Sequence, residues 1–510
     1  MLGYWGVGFM AVLPRIDESS FRITRRLLAF LWIIALVSRV VAAFLLPNAE
    51  QDGYSYAETI EYLTNQFETA QFHVHDLYGF WLPAFQFGSA LINLLVHQPL
   101  IAGKVVNVLS GATSVVLVFL ITRMVTGSLS FSLLAFGLIL FSPLHMLYSA
   151  SCMTDVPHAC MVLASLWFAL RRRWLGAGVF AAIAEGIRIE SWALIPALPV
   201  LQWLLERRVS WRLCLILLLP PLAWLFVAFA STGSPFAYFA ERARYHAEYM
   251  QFHPERQGFH WTAVEQDVGS LLGGAGRVVF AAALLATITT FARLIRTSDR
   301  VDDRMLAPAV YGAGMLGLLG LAYLTKSQPV WLPRYGLIFL AIGLPLFAKV
   351  LQWIVRNVGT RLATTAVVIA LIGPCLIEMF EQISTLTKVR QDFRAHQQIA
   401  ARLVNNVKTA PRGARCFSDD VAVRVLSRLP VNSFLRSPFV PAMAAGNAEN
   451  FSSWLRGQNV KWLVFFPTED SIPMKLFPQL AKAGGDREQF HLIAFAHSTF
   501  GPDIWLYQVR

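Results

Sequence analysis

Residues 27–57 read LLAFLWIIALVSRVVAAFLLPNAEQDGYSYA. The run 27–46 is apolar apart from Ser38 and Arg39. About 20 such residues are what a helix needs to cross the hydrocarbon core of a bilayer. Pro47 ends the run, and Glu50 and Asp52 follow at once in a polar segment. A membrane span therefore delivers two carboxylates to a membrane surface, and the rest of the chain is read outward from that point.

The same apolar pattern recurs along the chain. Spans are expected near 27–46, 105–122, 130–149, 156–170, 212–230, 268–292, 305–324, 335–355 and 362–379. The stretch 174–205 carries Arg188 and Glu190 in its middle and is read as two short spans meeting at that charged turn, which brings the expected number to eleven. Of the 510 residues, 56% are hydrophobic and only 15% charged, too few to clothe a soluble protein of this length. The 43 Lys and Arg against 31 Asp and Glu give a net charge of +12. Because these cations sit in short clusters between apolar runs, they point to membrane topology and away from nucleic acid. With Arg15, Arg22, Arg25 and Arg26 on the cytoplasmic side, Arg123, Arg171–Arg173, Arg207, Arg208, Arg212, Arg293–Arg304, Arg356 and Arg361 all fall on that side too. The pattern holds only if the apolar run 83–96, about 14 residues long, lies in the interface without crossing. Five scattered cysteines contain no CxxC and suggest neither a zinc site nor a disulfide framework. The first apolar run is too long for a cleavable signal peptide.

The fold class expected is thus an α-helical polytopic membrane protein, residues 1–380, with a long first outer loop (47–104). A small α/β domain, 381–510, follows on the outer face. In that tail strand-like runs (Lys461–Phe466, His491–Phe495, Ile504–Val509) alternate with helix-like runs (Val421–Arg428, Met474–Ala483).

Charged residues near membrane depth are costly and mark candidate sites. On the outer side they are Arg39, Glu50, Asp52, Asp155, Arg188, Glu190, Lys326 and Arg334. Acids and bases distant in sequence converge on one membrane face. Each also has a structural reading. Asp52 caps a helix beginning near Tyr54, and Asp155 caps the span at Val156 ahead of Pro157. Arg39 pairs with a loop acid or snorkels; Arg188 and Glu190 pair with each other; Arg334 anchors at the interface beside Trp331 and Tyr335. His73-Val74-His75-Asp76 has metal-ligand residue types but no further ligand at a recognised spacing. The segment Tyr238–His260, rich in aromatics, Arg and His, reads as an interfacial helix or an acceptor groove.

The first span with Arg39, then Pro47, then Glu50-Gln51-Asp52-Gly53-Tyr54-Ser55-Tyr56-Ala57, resembles the opening of GT-C glycosyltransferases. The nearest patterns are the family 39 protein O-mannosyltransferases and the lipid A aminoarabinose transferases. Trp81-Leu82-Pro83, Ser142-Pro143 through Met153-Thr154-Asp155-Val156-Pro157, Gly176-Ala177-Gly178 through Gly186-Ile187-Arg188, and Pro333-Arg334-Tyr335 follow in the family's order, over roughly 27–355. Two departures stand out. Glu50 and Asp52 are two apart where many members have adjacent acids, and Arg188 before Ile189-Glu190 stands where Lys before Gly-Pro is usual.

The resemblance implies an inverting transfer of a sugar from a polyprenyl-phosphate carrier to a hydroxyl-bearing acceptor at the outer face of the bilayer. In that scheme Asp52 is the general base, with Glu50 the alternative. Asp155 orients the acceptor or holds a divalent cation. Arg188 and Arg334, backed by Lys326 and Lys104, take the donor phosphate, while Glu190, Tyr54 and Tyr335 support the acceptor side. No metal ligand set is assigned. Mannose is the family-level sugar and aminoarabinose the alternative; a bacterial inner membrane with a periplasmic site is the expected location. The competing reading is a transporter or flippase of lipid-linked sugars, but such proteins often carry internal repeats and mid-membrane charges, which this sequence lacks.

Overall fold

The computed structural model describes residues 25–48, 50–79, 81–252, 261–296, 303–325, 331–358, 361–411, 413–437, 440–467, 471–481, 489–498 and 503–510. In order, its first helices are α1 (Arg25–Leu45), α2 (Gln51–Glu68), α3 (Ala84–Val96), α4 (Pro99–Thr126), α5 (Leu129–Leu140), α6 (Pro143–Ser149), α7 (Asp155–Leu170), α8 (Trp174–Ile187) and α9 (Leu194–Glu206). There follow α10 (Trp211–Thr232), α11 (Ala237–Phe252), α12 (Trp261–Ala275), α13 (Arg277–Arg296), α14 (Asp303–Leu324), α15 (Gly336–Asn357) and α16 (Arg361–Lys408).

Among the described residues, seven helices are long and apolar enough to cross a membrane: α1, α4, α10, α13, α14, α15 and α16. The pair α5 and α6, bent by 62° at Phe141–Ser142, makes an eighth if counted as one span. This is fewer than the eleven expected. The shortfall lies in α7, α8 and α9, whose 16, 14 and 13 residues fall short of a full crossing length. The expected span 268–292 is two helices, broken at Gly276, whose φ of +76° places it in the left-handed region. The run 83–96 is a helix of 13 residues, also below full crossing length.

Burial sorts the long helices. In α4 and in Pro333–Asn357, 72% of the most apolar window is buried; in α1 and α13 the figures are 22% and 17%. The first two form the centre of the bundle, where Val115, Phe119, Ile139, Leu163, Leu166 and Phe347 share one core with Leu194 and Leu198. The others present apolar side chains such as Phe30, Phe44 and Ile288 outward, where lipid takes the place of a core.

The tail is a mixed five-stranded sheet of order β2-β1-β3-β5-β4, formed by β1 (Arg415–Ser418), β2 (Phe434–Leu435), β3 (Val460–Phe465), β4 (Phe490–Ala496) and β5 (Ile504–Val509). β1 runs parallel to β2 and β3, whereas β5 is antiparallel to β3 and β4. Alternate residues of β3 enter opposite cores, as a pleated strand dictates. Trp462 and Val464 pack with Ile399 and Leu403 of α16, and Leu463 and Phe465 with Phe417 and Phe451. The helices α17 (Val421–Ser427), α18 (Ala442–Ala445), α19 (Ala448–Gly457) and α20 (Ile472–Leu476) complete the unit. β1 and β2 were not expected, being only 4 and 2 residues long. The helix expected over 474–483 is instead α20 followed by a 3₁₀ turn, 478–481. The boundary expected at 381 falls inside α16, which continues unbroken for 48 residues from the bundle onto the sheet.

Candidate active site

Four helix ends supply the site. Glu50 precedes α2, and Asp52 lies in its first turn. Asp155 opens α7, Arg188 joins α8 to the 3₁₀ turn Ile189–Ala193, and Arg334 sits in the 3₁₀ turn Pro333–Tyr335 that leads into α15. Asp52 does not cap α2, since the helix starts at Gln51, earlier than expected, with Glu50 at the cap position. Asp155 likewise belongs to the first turn, after Thr154.

Arg334 is held by close backbone packing. A Cβ built at Gly274 would lie 1.7 Å from the Pro333 carbonyl oxygen, and one at Gly336 would lie 2.4 Å from that of Leu271. Only glycines allow α12 to approach this turn so closely.

Arg334 Nη1 donates to Glu50 at 2.5 Å and Nη2 to Asp52 at 2.7 Å, so one guanidinium bridges both first-loop acids. Arg188 Nη1 donates to Asp155 at 2.8 Å, and Nη2 and Nε donate to the two Glu190 oxygens at 2.6 and 3.2 Å. The centre of the Tyr335 ring lies 5.1 Å from the Arg188 guanidinium and 5.7 Å from that of Arg334, so both cations share one aromatic ring. The Tyr148 hydroxyl donates to Glu50. Thr154 Oγ1 accepts from Arg188 at 3.3 Å and lies 3.4 Å from the Tyr56 hydroxyl. Burial raises the Glu50 carboxyl above the ordinary range, against the opposing pull of Arg334. A narrow cleft of about 20 Å³ lies between Arg188, Arg334, Asp155 and His158, walled by Met315 and Ile338. It has room for about one water. Arg334 Nε is buried beside this cleft without a hydrogen-bond partner, a donor left over for an oxyanion.

The structure thus gathers Glu50, Asp52, Asp155, Arg188, Glu190, Arg334 and Tyr335. The Arg188–Glu190 ion pair read from the sequence is present, with Asp155 added to it. Lys104 lies elsewhere, donating to the Ala43 and Leu46 carbonyls at the end of α1. Tyr54 is buried against Val421 and Ala422 of the outer domain, away from the arginines. Arg39 neither pairs with a loop acid nor snorkels. It is fully buried and donates to the Leu140 and Ile139 carbonyls at 2.7 and 3.1 Å, capping α5. Lys326 and residues 253–260 of the aromatic segment lie outside the described residues. His73, His75 and Asp76 bring three ligand atoms within 4.8 Å of one another, a cluster capable of coordinating a divalent cation. Tyr148, Thr154, Tyr56 and His158 were not singled out from the sequence. Tyr148, Thr154 and His158 border apolar runs, where only position relative to Asp155 could have flagged them, and Tyr56 lies four residues after Asp52 in the polar first-loop segment.

The outer domain is tied to the same helix that carries Asp52. Arg424 grips Glu58 of α2 at 2.6 and 3.0 Å, and Arg436 lies 3.5 Å from the same carboxylate. Gln51 Nε2 lies 3.3 Å from His396 Nε2, and His396 Nδ1 lies 2.8 Å from Asp420.

No family model and no curated protein matches the chain. Solved structures do. ArnT from Cupriavidus metallidurans superposes with a TM-score of 0.57 when bound to undecaprenyl phosphate and 0.59 in the apo state. Both comparisons have 13% identity and cover 95% of this chain and 98% of the other. The archaeal oligosaccharyltransferase AglB from Archaeoglobus fulgidus, in complex with an inhibitory peptide and a dolichol-phosphate, gives 0.49 at 12% identity, over 94% of this chain and 74% of its own. The likeness to ArnT extends over nearly the whole of both chains and is one of fold.

Proposed function

We propose that the chain is an inverting glycosyltransferase that moves a sugar from a polyprenyl-phosphate carrier to a hydroxyl-bearing acceptor on the outer face of its membrane. The observation that carries this reading is the Arg334 fork across Glu50 and Asp52, with Arg188 beside it over Tyr335. The reaction needs a carboxylate to take the acceptor proton and cations to receive the leaving phosphate. The acceptor oxygen bonds to the anomeric carbon as the bond from that carbon to the phosphate oxygen breaks, and Asp52 accepts the hydroxyl proton. Asp52 takes the base role, with Glu50, which also accepts from the Tyr148 hydroxyl, as the alternative. Arg334 and Arg188 turn from their carboxylate partners to the lipid phosphate, with Lys326 as a further cation; Lys104, bound to main-chain carbonyls at the end of α1, takes no part. Asp155 and Glu190 hold Arg188 in place until then. Attack from the face opposite the phosphate inverts the centre, so a β-linked donor gives an α-linked product.

The topology that suits this chemistry counts α7, α8 and α9 as short crossings beside the eight longer units, eleven in all. The N-terminus is then cytoplasmic, and the site and outer domain are periplasmic in a bacterial inner membrane. Mannose is the first sugar to test and aminoarabinose the second. The assay supplies a panel of polyprenyl-phosphate sugars with membrane extract as the acceptor source and follows release of free polyprenyl phosphate. Release with one donor, reduced about 10²-fold or more in Asp52→Asn, is the expected result. Full release by Asp52→Asn would remove the mechanism, and no release from any donor by folded protein would return weight to a transporter.

A further inference from the structure

A cavity of about 1630 Å³ opens between the ends of α1 and α4, one side of α2, and the outer domain. It comes close to the carboxylates through Asn48, whose amide donates to the Glu50 carbonyl at 2.9 Å, and through Trp81, whose ring lies 4.8 Å from that of Tyr56. Six Arg and Lys side chains line it against three carboxylates. Three of the cations are already engaged: Arg424 and Arg436 with Glu58, and Lys104 with main-chain carbonyls. Arg390, Arg394 and Arg428 are exposed and have no ion pair among the described residues.

Arg428 follows the last turn of α17, where a cation is favourable. Arg390 and Arg394 have no such excuse. They stand four apart on α16, and like charges at that spacing repel along a helix. Nearby Asp392 is taken by His396 and Ser498 and offers no relief. Three guanidiniums without an ion pair among the described residues, from two elements, thus face one cavity, an arrangement that suits a multiply accepting oxyanion such as phosphate. The same cavity is also lined by Phe44, Leu45 and Ile101, apolar and exposed at the ends of two spans.

We propose that Arg390, Arg394 and Arg428 form an oxyanion subsite that holds a phosphate group carried by the acceptor, distant from the hydroxyl presented at Asp52. This rests on the transferase reading above for the word acceptor, but the subsite itself is a binding property. It selects phosphorylated acceptors over neutral ones.

The test uses the full-length protein in neutral detergent and measures retention of radiolabelled phosphatidic acid, with diacylglycerol as the uncharged control and inorganic phosphate as competitor. The wild type and Asp52→Asn are expected to bind the phosphomonoester lipid alike. The Arg390→Gln/Arg394→Gln/Arg428→Gln variant is expected to lose at least about tenfold in affinity, and the matching Lys variant less. Competition by inorganic phosphate at equal affinity would identify a free phosphate source; its failure to compete would identify a lipid-borne one. Arg394→Gln alone, an exposed substitution, serves if the triple variant does not fold. Binding unchanged by these substitutions, or no binding by the wild type, overturns the proposal. Arg-dependent binding without transfer from any donor would sink the transferase reading and leave the subsite standing.

Discussion

Arg334 touches two acids with two separate nitrogens and retains only 9% exposure. A lysine cannot reproduce that fork. Arg334→Lys is therefore expected to reduce polyprenyl-phosphate release by roughly tenfold or more, while Arg334→Gln, which leaves two carboxylates facing each other, should also lower Tm. Thermal unfolding in detergent separates the two effects. Glu50 gives a pH signature. Its folded-state pKa lies above the unfolded one, so folding is favoured most below the ordinary carboxyl range, and that contribution is lost as pH rises through the raised value. Glu50→Gln should match the wild type in Tm at acid pH and exceed it increasingly as pH rises towards neutrality. A constant difference across that range would show that Glu50 does not titrate there. At this scale the sequence was informative about charge and silent about hydroxyls. Asp52, Asp155, Arg188 and Arg334 were conspicuous because a charge near membrane depth is costly, even where a cap or an ion pair could account for it. Tyr148 and Thr154 were not, because an aromatic or a threonine at a span end needs no special reason.

Among the elements, long spans declared themselves by their length of apolar sequence, and short or broken ones did not. The run 268–292 looked continuous because hydropathy carries no record of the left-handed backbone at Gly276. β1 and β2 escaped because strands of 4 and 2 residues have too few positions to alternate. The glycines beside Arg334 give this scale its own prediction. Gly336→Ala forces a Cβ against main chain in α12, and overpacking of this kind costs about 1–3 kcal/mol. A lowered Tm with greater loss of turnover than of expression is expected, whereas Gly317→Ala, with open space at its Cβ, should be neutral in both. The attachment of the outer domain is equally open to test. Arg424 is 8% exposed and Glu58 22%, so Glu58→Ala strands a largely buried guanidinium, a change that costs about 3–5 kcal/mol where burial is complete and less here. Faster proteolytic release of a fragment containing the sheet, with the bundle intact, is the expected readout.

For the molecule as a whole, the two-part plan was readable from composition alone: an apolar bundle and a tail with strand-like alternation. What the sequence could not supply was the relation between the parts, because Glu58–Arg424 and Gln51–His396 join residues more than 300 positions apart. Orientation is the prediction that belongs here. Met443 is 86% exposed on the outer domain. Met443→Cys, in a background with Cys214→Ser, should react with a membrane-impermeant maleimide on intact spheroplasts. Labelling only after lysis would reverse the topology and move the site to the cytoplasm. The unbroken α16 has a mechanical meaning beyond its packing. At about 1.5 Å per residue its 48 residues reach roughly 70 Å, and a bilayer core of about 30 Å would take up less than half of that. A tilt of about five degrees at its foot swings its tip by roughly 4 Å, and hydrophobic mismatch tilts spans readily. The helix is thus a lever arm that converts bilayer thickness into displacement of the outer domain, and through Gln51 and Glu58 into displacement of the helix that carries Asp52.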